Sequence, residues 1–244
     1  NWCKPTRYTL QVQYIGKNYA GSQIQFENGK EIETPTIQGE LEKALCKLII
    51  GKTENNNRQI KTTFSGRTDR GVNSEGQIVH FDTDKSIVAS KFIYSLNEIL
   101  PDDISVTDLK QVDEKFHAQK SAKKRYYRYV FINRKCKNAF DGDLMRIKYD
   151  INIERMQKAL NYLLGEHDFS SFKSSGTLNP SKVCFIEKAD CNKVGDKVII
   201  DIIGNRFLYN MVRTIVGTLL EIEGHNLPVE HMKNVLEAGD RRKA

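Results

Sequence analysis

The order in which strand-like and helix-like stretches follow one another limits the fold of this chain more than any single motif, because that order runs once and then starts again. Residues 7–14 (RYTLQVQY) set Tyr8, Leu10 and Val12 on one face at a period of two, which is a strand. Gly16, Gly21 and Gly29 punctuate a long loop, after which Pro35 and an N-cap Thr36 open a helix. Its apolar residues Ile37, Leu41, Ala44, Leu45 and Leu48 fall at helical spacing, and Gly51 with Asn55, Asn56 and Asn57 end it. Residues 60–64 and 77–81 read as two further strands. Ser90 is placed to cap a helix bearing Phe92, Ile93, Leu96, Ile99 and Leu100, which Pro101 stops, and residues 104–112 form a fourth strand. The first half is therefore β-α-β-β-α-β.

The second half repeats the pattern. Residues 125–132 alternate Tyr127, Tyr129 and Phe131 against Arg128, Val130 and Ile132. Asn152 caps a helix carrying Ile153, Met156, Leu160, Leu163 and Leu164, with Gly165 suited to the position past its end. Strands at 184–191 and 197–204 meet at a Gly195-Asp196 turn, a long helix spans 207–223, and Pro228 starts a shorter one reaching Ala238. The expected fold class is α+β: two ferredoxin-like halves, 1–115 and 116–244, sharing one mostly antiparallel sheet. The strand that would close the second half is expected beyond Ala244.

Thirty-eight Lys and Arg against 31 Asp and Glu give a net charge of +7, which favours a polyanionic partner. The excess concentrates in Lys120, Lys123, Lys124, Arg125, Arg128, Arg134 and Lys135, interleaved with Tyr126, Tyr127 and Tyr129. Cations beside aromatic rings suit single-stranded nucleic acid, phosphates meeting the charges and unstacked bases the rings; a solvated strand face has the same composition. No stretch has the eighteen or so apolar residues of a membrane span, and the N-terminus lacks a secretory pattern. Five scattered cysteines without CxxC spacing read as free thiols in a reducing compartment, with no structural zinc.

Chemistry gathers in residues 64–84, FSGRTDRGVNSEGQIVHFDTD, a polar loop running into an alternating strand. Asp69 lies at its tip between Arg67 and Arg70, with Gly66 and Gly71 outside them. Guanidiniums favour an ionised carboxylate and bind phosphate, and glycine lets a bulky ligand approach the backbone. An ordinary surface turn has the same residue types. Asp82 and Asp84 form a DxD that can take Mg²⁺, which would suit a phosphotransferase, but no phosphate-binding glycine loop accompanies it. His80, His117, His167, His225 and His231 are scattered, without the local signature of a nucleophile and base. A catalytically silent RNA-binding module of two ferredoxin-like halves is the remaining alternative, although the chain lacks the RNP1 consensus.

The run 66–81, GRTDRGVNSEGQIVHF, resembles the GRTDxGVHxxGQVxHF signature of the TruA family of tRNA pseudouridine synthases. Further matches follow in the family's order: Tyr14-Ile15-Gly16 with Tyr19-Ala20-Gly21, Phe116-His117-Ala118, Tyr127-Arg128-Tyr129, His167-Asp168-Phe169, and Asn210-Met211-Val212-Arg213 with Ile215-Val216-Gly217. The resemblance implies the pseudouridine synthase fold with its central cleft, and isomerisation of uridine in tRNA, in the anticodon stem-loop. It implies Asp69 as catalytic aspartate, Tyr127 stacking on the uracil and Arg213 pairing with the aspartate. Substrate contacts are expected from Arg67, Arg70, Gly71, His117 and Arg128. It further implies no metal or organic cofactor, a homodimer and a cytoplasmic location. Asn73 stands where the family usually has His, Ser22 replaces a Trp, and the family's C-terminal APAxGL segment is expected after the last residue here.

Overall fold

The computed structural model describes residues 4–51, 60–174 and 181–244; Cys3 and the helix stop at Asn55, Asn56 and Asn57 lie outside the described residues. The chain divides into two units, Asn1–Ala122 and Lys123–Ala244.

In the first unit, β1 (Thr6–Tyr14) is followed by a small hairpin, β2 (Phe26–Glu27) and β3 (Lys30–Glu31), then α1 (Ile37–Ile49), β4 (Thr62–Phe64), β5 (Ser74–Thr83), α2 (Ala89–Ile99) and β6 (Ile104–Val112). The main sheet has the order β4-β5-β1-β6 and is antiparallel throughout. That is the strand order of a ferredoxin-like unit. The period-two pattern of β1 buries Tyr8, Leu10, Val12 and Tyr14 in one core with Leu41 and Leu45 of α1 and Leu96 of α2. Thr36 caps α1 as expected, its Oγ1 accepting from the Gly39 N–H at 3.1 Å. Ser90 does not cap α2: the helix starts one residue earlier, after an extended Val88, and Ser90 sits inside its first turn.

The second unit contains β7 (Arg125–Asn133), β8 (Arg146–Ile147), α3 (Ile153–Asn161), β9 (Gly165–Asp168), β10 (Val183–Val194), β11 (Lys197–Gly204), α4 (Met211–Gly224) and α5 (His231–Ala238). Its sheet runs β8-β7-β11-β10-β9, with only the β7–β8 pair parallel. Phe131, Val198, Ile200 and Ile202 on one face of the sheet are buried with Met156 and Leu160 of α3 and Ile215 and Leu219 of α4.

The central strands β1 and β11 each find both ladder partners within their own units. Three expectations are corrected here. Gly165 does not end a helix but starts β9, with φ +93°. The long helix begins at Met211 rather than 207, since Asn210 takes a left-handed conformation at φ 59°, which asparagine tolerates better than most residues and which a helix cannot continue through. Pro228 likewise opens a turn, with α5 starting three residues later.

Candidate active site

The loop that carries Asp69 leaves β4 and enters β5, and its form is fixed from two directions. From below, the buried Gln77 of β5 reaches back along the loop. Its Oε1 accepts from the Gly66 N–H at 3.2 Å and from the Ser65 hydroxyl, and its Nε2 donates to the Gly66 carbonyl at 2.9 Å and to the Tyr14 hydroxyl at 3.3 Å. All of Gln77's amide is therefore used, as a buried amide requires. The Tyr14 hydroxyl in turn meets Thr68 Oγ1 at 2.7 Å, and burial holds the phenol's pKa up.

From the side, the segment after β1 lies directly on the loop. Ser22, 1% exposed, donates its backbone N–H to the Thr68 carbonyl at 3.0 Å, and its Oγ accepts from the Thr68 N–H at 2.8 Å. Gly21, at φ +121°, comes so near that a Cβ there would stand 2.9 Å from the Thr68 oxygen. On the far side of Asp69, Asn73 Oδ1 accepts from the Gly16 N–H at 2.9 Å, and a Cβ on Gly16 would lie 2.1 Å from the Val72 oxygen. Within the loop, the Val72 N–H closes onto the Asp69 carbonyl at 3.1 Å. Asp69 is half-buried at this tip, while Arg67, Arg70 and Gly71 are exposed, Gly71 at φ +78°. A carboxylate held at the rim of a polar, solvent-accessible loop with cationic neighbours is suited to act on a ligand that brings phosphates with it.

At the other end of β5, His80 and Asp82 hold the turn that presents His117. Arg7 of β1 binds Asp82 through two bonds of 2.8 Å and donates to the Phe116 and Glu114 carbonyls at 2.6 and 3.0 Å. That ion pair lowers the carboxyl pKa of Asp82, so the first member of the DxD is committed to Arg7. His80 Nδ1 accepts from the Ala118 N–H at 3.0 Å, and its ring meets that of half-buried His117 edge-on at 5.1 Å. Burial foremost, then Arg7 and His117, pushes the His80 pKa down to about 4, against a smaller upward pull from Asp82.

In the second unit, Tyr127 pairs across the ladder with Ile202, and so belongs to the sheet face that builds the core. Its half-buried ring meets Phe207 edge-on, 4.7 Å between centroids. Gly204 makes room for this, since a Cβ there would lie 2.9 Å from Ile186 Cδ1 and 3.2 Å from Phe207 Cζ. Arg128 points the other way. It pairs with Asp201 directly opposite, Nε to Oδ1 at 2.8 Å, with its guanidinium over the Tyr126 ring at 5.9 Å, and both partners raise its pKa. Strand alternation thus separates Arg128 from Tyr127. Arg213 is exposed in the first turn of α4, where the helix dipole disfavours a cation, so helix stability does not explain its presence. The loop before it is set by Asn210, whose Nδ2 donates to Ser174 Oγ at 2.8 Å. His167 and Asp168 have structural partners, the Leu164 carbonyl at 2.6 Å and the Ser170 N–H at 2.8 Å, and Phe169 is fully buried.

Ser22, Tyr14 and Gln77 were not singled out from sequence as site residues, and neither was Phe207. Glycines at 16 and 21 were the signal available, for they mark where another backbone comes close. Among the described residues no group of three or more His, Cys, Asp or Glu is arranged to hold a metal ion, and no helix is long and apolar enough to cross a membrane.

A family model described as tRNA pseudouridine synthase matches residues 159–244, and one described as an uncharacterized protein conserved in bacteria matches residues 56–177. The chain is 40% identical over 240 residues to tRNA pseudouridine synthase A of Anoxybacillus flavithermus, covering 98% of this chain and 92% of the relative. It is 41% identical over 239 residues to the protein of that name from Halalkalibacterium halodurans (98% and 86% covered), and 37% identical over 238 residues to that of Francisella philomiragia (97% and 87%). Similarity of that extent, along nearly the whole of both chains and through the loop that holds Asp69, means that this chain belongs to the TruA family of tRNA pseudouridine synthases.

Proposed function

We propose that the chain isomerises uridine to pseudouridine in tRNA with Asp69 as its catalytic aspartate. The reaction breaks the bond from uracil N1 to the ribose C1′, turns the base and joins C5 to C1′. The C5 proton leaves to water and N1 takes one up, so no atom is gained or lost overall. The observation that supports Asp69 is its anchorage: Thr68 before it and Asn73 after it are held by other parts of the unit, and the Val72 N–H closes on the Asp69 carbonyl, so the carboxylate is presented without a search.

Tyr127 is proposed to stack on the uracil and to assist removal of the C5 proton, its ring already oriented by Phe207. Taking a base out of its stack costs a few kcal/mol, and stacking on an aromatic ring recovers about 1–3 kcal/mol. Arg213 is proposed as the counter-charge to Asp69, and Arg67, Arg70, Gly71, His117 and Arg128 as contacts to the RNA. Arg128 would reach phosphate only by sharing or exchanging Asp201. We assign the target to uridines of the anticodon stem-loop, and propose a homodimer, both on the family resemblance. A cytoplasmic location is supported by the free thiols of Cys46, Cys136, Cys184 and Cys191, which suit a reducing compartment.

Tritium release from C5-labelled uridine in a tRNA transcript tests the central assignment. Asp69→Ala is expected to bind the transcript and release no tritium; release at the wild-type rate would remove Asp69 from the mechanism. Loss of release from both proteins with binding intact would instead favour a silent RNA-binding module.

A further inference from the structure

We propose that Ser22 is a positioning residue for catalysis: its backbone and hydroxyl lock Thr68 and thereby fix where the Asp69 carboxylate stands. The proposal rests on the assignment of Asp69 above. Thr68 is the residue immediately before Asp69, and each of its polar groups is held from outside the loop. Ser22 takes its N–H through Oγ at 2.8 Å and gives its own N–H to the Thr68 carbonyl at 3.0 Å, while Tyr14 meets its hydroxyl at 2.7 Å. Two opposed hydrogen bonds between Ser22 and Thr68 fix both the distance between the segments and the rotation of the peptide planes, which a single bond would leave free.

The hydroxyl is needed for this. Ser22 is 1% exposed, so its Oγ acts within the fold rather than toward solvent, and no water replaces it without opening the contact. Gly21 at φ +121° brings the Ser22 N–H to the Thr68 oxygen, and no side chain fits in its place. Asn73 supplies a second clamp by accepting from the Gly16 N–H at 2.9 Å. Ser22 and Asn73 therefore hold the same loop from opposite sides of Asp69.

Ser22→Ala removes the acceptor for the Thr68 N–H and keeps the backbone bond. Single-turnover tritium release at saturating enzyme, well below the melting temperature, is expected to fall about tenfold to a hundredfold, as displacement of a reacting group by up to about 1 Å does. The affinity for tRNA is expected to change less than about twofold, since the RNA contacts proposed above remain. A residue with a merely structural role would lower the melting temperature and leave the rate constant of the folded enzyme unchanged. Tyr14→Phe removes one hydroxyl from the same network with no loss of ring volume, and is expected to slow the step about threefold to tenfold; it decides the matter alone if Ser22→Ala does not fold. Wild-type single-turnover rates in the folded variants overturn the proposal. Asp69→Ala in the same assay separates the two readings: if it is inactive while Ser22→Ala is fully active, only the positioning role falls, and if it is active, both fall.

Discussion

Between pH 7.5 and 5.0 the first unit should lose stability through one histidine. His80 is 5% exposed, and its Nδ1 is an acceptor for the Ala118 N–H, so a proton there would set donor against donor beside the Arg7 guanidinium. Its pKa lies at about 4 in the folded protein against an ordinary value of 6.5. A group with its folded pKa below its unfolded one binds fewer protons folded than unfolded between those values. Stability is therefore complete above about pH 6.5 and declines as pH falls toward 4. Those two values give a loss of about 2 kcal/mol at pH 5.0 relative to pH 7.5. With a urea m-value of about 2 kcal/mol/M, the midpoint falls by about 1 M. Urea titrations followed by far-ultraviolet circular dichroism, on the wild type and His80→Asn, isolate this histidine, because every other titrating group is common to both. Asparagine Oδ1 accepts the Ala118 N–H and does not titrate, so the variant should lose less by about that 1 M. Equal midpoint shifts in the two proteins would refute the reasoning.

Two other substitutions probe the supports of the loop and of α1. Gly16→Ala places a Cβ 2.1 Å from the Val72 oxygen, a backbone atom that cannot step aside alone, so the loop must move. We expect a stability loss of about 1–3 kcal/mol, seen in the urea midpoint, with tritium release slowed in the fraction that stays folded. Thr36→Ala strips the cap from α1, which costs about 1 kcal/mol. Because the Ile37 and Gln38 N–H groups at the start of α1 donate to the Gly21 and Ser22 carbonyls at 3.2 and 2.9 Å, this variant should melt lower and also slow tritium release, and a wild-type rate in the folded variant would show that the loop does not depend on the helix.

Much of the fold was legible because long strands and helices carry their burial in their periodicity. The bounds 104–112 of β6 and 197–204 of β11 agree with the sequence reading, and the repeat of element order identified the α+β class. What escaped was short or set by one residue. β8 has two residues and β9 four, too few to display a period, and both exist only because a longer strand offers them an edge. Phe207 and Leu208 continue the helical spacing of α4, yet one left-handed asparagine cuts them off. At the site, the glycines and the acid of the loop were visible, while the role of Ser22 was not, because its partner lies 46 residues away and nothing local distinguishes a serine that clamps from one that faces water.

The contact of residues 16–22 with the loop also bears on how this catalytic element can be moved or altered. Gly16, Gly21 and Ser22 act as a mould in which residues 68–73 are cast, so the signature stretch contains only part of the instructions for its own shape. Transplanted alone onto another sheet, GRTDRG would carry the reactive acid and lose its aim. The smallest transferable piece is discontinuous: the end of β1 with the turn after it, and the loop with Gln77, exchanged together or not at all.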